Sequence, residues 1–186
     1  MNRRMLVLAM VSGVIAPGIS LGADKAKEQA EVRKAGQDAL AAVYKAAPSA
    51  RKAVESAAGY AAFSNFGMKI LVAGGGSGKG IAVNNKTKAA TYMKMAEIQA
   101  GLGLGVKKFQ VVWVFETEAA LNNFINSGWE FGAQATAAAK SEDKGSACQG
   151  AVAVSPGVWI YQVTDKGLAL ELTAKGTKYY KDTDLN

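Results

Sequence analysis

The sequence predicts an α+β domain in which N-terminal helices pack on a strongly curled, mainly antiparallel β-sheet or barrel-like sandwich, with one helix inserted between strands. Three observations lead there. Residues 24–58 are dominated by Ala, Lys, Glu, Arg and Gln, with apolar positions recurring at helical intervals. After Gly59 the chain changes to short runs of Val, Ile, Phe, Tyr and Trp separated by Gly, Asn, Asp and Lys, the grammar of antiparallel strands. In two of those runs glycine occupies every second position. The chain has 186 residues, 49% of them hydrophobic and 20% charged, which suits one soluble domain with a sizeable core.

Residues 1–23 read as a secretory signal peptide rather than as part of the fold. Met1-Asn2-Arg3-Arg4 is a basic head, Met5 to Ala16 is apolar apart from Ser12, and Ile19 to Ala23 ends in small residues that suit cleavage after Gly22 or Ala23. Pro17-Gly18 interrupts the apolar run, which is short for a membrane span. The expected product is a periplasmic domain, residues 24–186, divided into a helical part (24–58) and a β-rich part (59–181) with a helix near 116–126. Removing residues 1–23 takes two arginines and no acid, so the formal charge falls from +7 to +5. A mildly basic surface favours anionic partners. Export and the lack of an Arg-rich stripe argue against nucleic acid, leaving anionic phospholipid as the better candidate.

The first helix spans Asp24 to Ala47, with Val32, Ala35, Ala39, Leu40, Val43 and Tyr44 along its apolar stripe, and Pro48-Ser49 breaks it. A second, Ser49 to Ala58, stops at Gly59. Strands are expected near Tyr60–Phe63, Lys69–Ala73, Gly80–Val83, Ala89–Met95, Leu102–Phe115, Phe131–Ala139, Ala151–Val154, Val158–Thr164 and Leu168–Thr173. Asn84-Asn85 and Asp165-Lys166-Gly167 suit hairpin turns. The inserted helix starts at Glu116 or Thr117, buries Ala119, Ala120, Leu121, Phe124 and Ile125, and leaves at Ser127-Gly128. Ser141 to Gly150 is polar and unpatterned, a surface loop.

Several kinds of chemistry are excluded by composition. Histidine is absent and cysteine occurs once, at Cys148, so Ser-His-Asp and Cys-His catalysis and His or Cys zinc sites have no residues to build from. The segment from Ala73 to Gly80 imitates a phosphate loop. However, Ala73 replaces its first glycine, Gly80 replaces its magnesium-binding hydroxyl residue, and no helical pattern follows. Glu116, Glu118, Glu130, Glu142, Asp143, Asp165 and Glu171 occupy ordinary settings for acids: a helix start, a polar loop, a turn or an exposed strand position. No catalytic residue, metal site or cofactor is therefore assigned.

Binding is the chemistry that remains. Gly74, Gly76, Gly78 and Gly80 form one glycine stripe, and Gly101, Gly103 and Gly105 a second. Each lines one face of an extended strand, so either the sheet coils tightly there and admits a helix, or the bare face lines a groove for an acyl chain or head group. Lys69 and Lys79 bracket the first stripe and Lys107-Lys108 follows the second, so these lysines either converge on an anionic head group or block edge-to-edge aggregation. Lys25, Lys27, Arg33 and Lys34 on the first helix add attraction to a membrane surface, diluted by Glu28, Glu31 and Asp38.

The order of the pieces resembles the SYLF domain family. It runs from Gly59-Tyr60-Ala61-Ala62-Phe63 through the glycine-rich strand and Gly101 to Gly105, then Phe115-Glu116, Ala120-Leu121 and Phe124. Trp129 to Ala135 (WEFGAQA), Gly157 to Tyr161 (GVWIY) and Lys166 to Leu170 (KGLAL) complete it. The likeness covers roughly Val32 to Tyr179. It implies a non-enzymatic, lipid-binding module, whose eukaryotic relatives bind phosphoinositides and regulate actin at membranes and whose bacterial relatives are exported. For an exported chain the implied partner is an anionic envelope phospholipid, with a structural or protein-binding envelope factor as the alternative. Val106-Lys107 stands where relatives commonly have Gly-Gln, and Gly103 where a larger polar residue is common, so a different head-group preference is expected.

Overall fold

The computed structural model describes residues 20–70, 73–100, 105–130, 149–164, 167–169 and 177–186. Helix α1 runs Ser20–Ala46 and α2 Ser49–Ser56; strands β1 (Gly59–Ile70), β2 (Ala73–Asn84), β3 (Ala90–Ala100) and β4 (Gly105–Phe115) follow. Helix α3 (Glu118–Ser127) then precedes β5 (Trp129–Glu130), β6 (Val152–Ser155), β7 (Val158–Thr164), β8 (Gly167–Ala169) and β9 (Thr177–Lys181). The described strands make one antiparallel sheet in the order β5-β9-β3-β2-β1-β4-β7-β6, with β8 also paired to β7.

That sheet is strongly curled. Strands β9 and β4 stand four places apart, which in a flat sheet means roughly 19 Å at about 4.8 Å per strand. Yet the rings of Tyr179 on β9 and Trp113 on β4 have centroids 5.0 Å apart, and Trp129 on β5 lies 5.4 Å from Trp113. Only a sheet rolled toward closure brings these rings together across its concave face. Helix α3 enters that concavity and places Phe124 within 6.3 Å of Phe63, 4.9 Å of Trp113 and 5.0 Å of Phe115. Local chemistry sets its ends: the Ala120 amide donates to the Thr117 hydroxyl at 3.2 Å, and Gly128, at φ 73°, ends it in a conformation that suits glycine. Leu121 and Phe124 are buried and Ala120 and Ile125 half-buried as expected, whereas Ala119 is exposed.

The convex face carries α1. Val32, Ala39, Val43 and Ala47 are buried at intervals of seven, four and four, and the last three meet Ala62, Val112, Val114 and Tyr161 of the sheet. Gly36 lets the helix come close: a methyl there would stand 2.8 Å from Cγ2 of Ile81.

The expected α+β architecture, with helices at the N-terminus and a curled antiparallel sheet, is the one observed. Its strand boundaries differ from those expected. Tyr60–Phe63 and the first residues of Lys69–Ala73 belong to one strand, β1, while Ala73 opens β2, which extends seven residues ahead of Gly80. The glycine stripe is extended strand, as its spacing suggests, but without side chains it does not mark where the strand begins; its amides and carbonyls complete the ladder to Gly67, Met68 and Lys69. Strand β9 was not expected, although its Thr177 and Tyr179 are buried and Lys178 and Tyr180 exposed. The Asn84-Asn85 turn is present, held by the Asn84 side-chain oxygen, which accepts from the amides of Lys86 and Thr87 at 2.9 Å each. The expected signal peptide through residue 19, the strand Phe131–Ala139, most of the loop 141–150, Cys148, Asp165 and Glu171 lie outside the described residues.

Candidate functional site

Two transverse rows on the convex face show how the site arises. In one row Tyr92, Ile81, Ala62, Val112 and Tyr161 are cross-strand neighbours on β3, β2, β1, β4 and β7. This row is apolar, and α1 and α2 cover much of it. Two residues further along each strand, on the same face, stand Lys94, Lys79, Ser64, Gln110 and Val163, with Tyr180 of β9 beside Lys94. Here the row is mostly polar and the helix stands off. A groove of about 750 Å³ opens between them, with Glu28, Glu31, Val32 and Ala35 of α1 on one wall and this row, together with Ser77 and Lys108, on the other.

Lys79 and Lys94 face one another directly across β2 and β3, an arrangement that is unfavourable unless anions stand by. Each has its own. Lys79 pairs with Glu28 of α1, tying helix to sheet, and Lys94 contacts Asp182 and Asp184 at 2.9 Å each. The two aspartates raise the Lys94 ammonium above its usual range, the bond to Asp184 contributing most, and the same bond holds the Asp184 carboxyl below the usual carboxylate range.

Residues 182–186 act as a clasp between β3 and the start of α1. The Asn186 carboxamide pairs with Tyr92 as a strand would, accepting from its amide at 3.0 Å and donating to its carbonyl at 2.8 Å. Gln29 donates to the Leu185 carbonyl at 2.7 Å and Lys25 to the Asn186 carbonyl at 3.1 Å. Arg33 donates to the Tyr92 hydroxyl at 2.6 Å with its guanidinium 5.2 Å from the ring centre, and Val32, Tyr92 and Leu185 pack together beneath.

The cations singled out in the sequence are thus distributed among several tasks. Lys79 and Lys108 share the groove. Lys25 and Arg33 anchor α1 to the clasp and β3, Lys34 pairs with Asp38 one turn along at 2.6 Å, and Lys27 is exposed. Lys69 on β1 is opposite Gly105, and Lys107 on β4 is opposite Gly67. Lys94, Ser64, Ser77 and Gln110 were missed. Each stands alone in an unremarkable run, and only strand register assembles them.

The glycines of the first stripe, Gly74, Gly76, Gly78 and Gly80, belong to the other face. Gly80 lies under Phe63: a methyl there would sit 2.3 Å from the ring and 2.5 Å from the Ala62 carbonyl oxygen. Gly78 is similarly filled by Asn65, whose carboxamide is buried and lacks a hydrogen-bond partner among the described residues. The space above Gly78 and Gly80 is therefore occupied by cross-strand side chains. Gly74 and Gly76 continue the same strand opposite Lys69 and Gly67, and Gly105 begins β4. Gly101 and Gly103 lie outside the described residues.

The segment from Ala73 to Gly80 is extended strand leading into a hairpin, so it is not the loop before a helix that a phosphate loop requires. Glu116 accepts a hydrogen bond from the Trp159 indole at 2.9 Å, while Glu118 lies 4.0 Å from Lys86 and Glu130 3.9 Å from Lys178. No cluster of metal-ligating side chains is present among the described residues, and no described helix is long and apolar enough to cross a membrane.

Residues 96–186 match the family model Ysc84, described as Las17-binding protein actin regulator and also known as SYLF. The chain carries a SYLF domain. Beta cell expansion factor A of Aeromonas veronii is 34% identical over 147 residues, which cover 79% of this chain. The chain spans about half the length of that curated relative, 54% of it being matched. The matched family residues include β4, α3 and the clasp, so this SYLF domain contributes Lys108, Gln110 and Tyr180 to the groove.

Proposed function

We propose that this SYLF protein is a non-enzymatic lipid-binding module of the bacterial envelope. On this reading residues 1–23 direct its export to the periplasm, where its basic surface recruits anionic phospholipid. The observation that carries the reading is the groove beside α1, where a polar, lysine-bearing row follows the apolar row on the convex face. Lys108 at its edge is exposed and has no ion pair among the described residues, so its charge is available to a phosphate. Lys107 lies next to it on β4. A domain that attracts membranes in this way needs long-range attraction first and a site of short-range contacts second.

The test is partition of the purified protein onto phosphatidylglycerol vesicles after Lys108→Glu, a change at an exposed groove residue. Binding should weaken several-fold while the thermal transition stays close to wild type, since exposed substitutions usually cost less than about 0.5 kcal/mol. Unchanged binding would refute the role of this edge. A structural or protein-binding envelope factor is the second reading, favoured by the family description, which names a protein partner.

A further inference from the structure

Charges of both signs line the groove, and the ion pairs among the described residues leave one of each unpaired. Lys79 is held by Glu28, and Lys94 by Asp182 and Asp184. Lys108 on the sheet wall and Glu31 on the helix wall are exposed and have no ion pair among the described residues. Among the described residues the groove thus offers an unpaired cation and an unpaired anion on opposite walls, with the hydroxyls of Ser64 and Ser77 and the Gln110 carboxamide on the sheet wall beside Lys108. Its volume of about 750 Å³ lies within the range of roughly 300–1,000 Å³ usual for small-molecule sites.

We infer that this groove takes a head group bearing both a phosphate and a primary ammonium, the phosphoethanolamine class. The inference deepens the lipid-binding reading and rests on it. The phosphate accepts from Lys108, a charge-assisted bond. The ammonium has three N–H donors, which Glu31 and the serine and glutamine oxygens can accept. Other head groups fit less well. A head group with only negative charge leaves the Glu31 carboxylate on the helix wall without a cation to pair with. A choline head has no N–H to donate, and Tyr180 is a single exposed ring where trimethylammonium recognition relies on an aromatic cage. Long-range attraction to an anionic membrane and short-range choice of a zwitterionic head are compatible, because the first belongs to the whole surface and the second to two side chains.

The experiment is an NMR titration of the purified protein with soluble probes and no membrane: glycerophosphoethanolamine, phosphoethanolamine, glycerophosphocholine and glycerol 3-phosphate. Saturable shifts are expected at the amides of Ser64, Lys79 and Gln110 with both ethanolamine probes, at least tenfold tighter than with the other two. Tighter binding of the diester assigns the site to a lipid head group, and tighter binding of the monoester to a free phosphoethanolamine. Glu31→Gln should abolish the preference over glycerol 3-phosphate, and Lys108→Gln should weaken every probe, with thermal transitions recorded to confirm folding. Equal affinity for the choline diester, or an unchanged preference in Glu31→Gln, overturns the inference. Because no vesicle is present, failure here beside intact salt-sensitive vesicle binding refutes the groove assignment alone. Saturable titration without vesicle binding refutes recruitment alone.

Discussion

Gly78 faces Asn65 across β2 and β1 so closely that a methyl group on Gly78 would stand 1.8 Å from the Asn65 side-chain oxygen. The glycine is therefore required by its neighbour's carboxamide, on the concave face opposite α1. Gly78→Ala should destabilise the fold by about 1–3 kcal/mol, the usual cost of overpacking. Asn65→Ala in that background should recover at least half, because it removes both the clash and a buried amide that has no partner among the described residues. Denaturant titration of the two single variants and the double variant checks this; additive losses would show that the two residues do not act on one another.

Alkali should unfold the domain through Tyr179. Burial, and after it the charge of Glu97, raises its hydroxyl above the ordinary value of 10.0. The unfolded chain ionises first, so this contribution is intact below pH 10 and is lost as pH rises through the folded-state value. Burial acts in the same direction on Tyr60 and Tyr44. Melting temperature recorded from pH 8 to 11 should fall near and above pH 10, and Tyr179→Phe should make that fall shallower. An equally steep fall in the variant would assign it elsewhere.

Acid should loosen the clasp. The Asp184 carboxyl is held below its ordinary value of 3.8, mainly by its bond to Lys94. Its contribution is present above pH 3.8 and is lost as pH falls through the lower folded-state value. In Asp184→Asn the acid limb of the stability profile should start from a lower plateau and drop less. A wild-type profile in this variant would mean that the Lys94–Asp184 contact contributes nothing in solution. Asp184 is 80% exposed, so the effect should also shrink in high salt.

Much of this architecture is legible in the sequence because it follows period and punctuation. The 3.6-residue stripe of Val32, Ala39 and Val43, the Thr117 cap and the Gly128 exit are local signals, and each lies where those signals point. What is not legible depends on register. Ser64, Lys79, Lys94 and Gln110 are far apart in the chain and meet only because β1, β2, β3 and β4 pair at particular offsets. The pairing of Lys79 with Glu28 depends on where α1 crosses the sheet, which no local pattern encodes. The same holds for Gly78 and Gly80, whose spacing marks a bare face but not the Asn65 and Phe63 side chains that fill it.

The most direct test of lipid recruitment is partition of the purified protein onto phosphatidylglycerol vesicles and onto neutral phosphatidylcholine vesicles across a salt series. Exposed charges act through a field screened over about 8 Å at physiological ionic strength. The account predicts strong binding to the anionic vesicles at low salt, a steep decline as salt rises, and weak binding to the neutral ones throughout. Equal binding to both at high salt would contradict it.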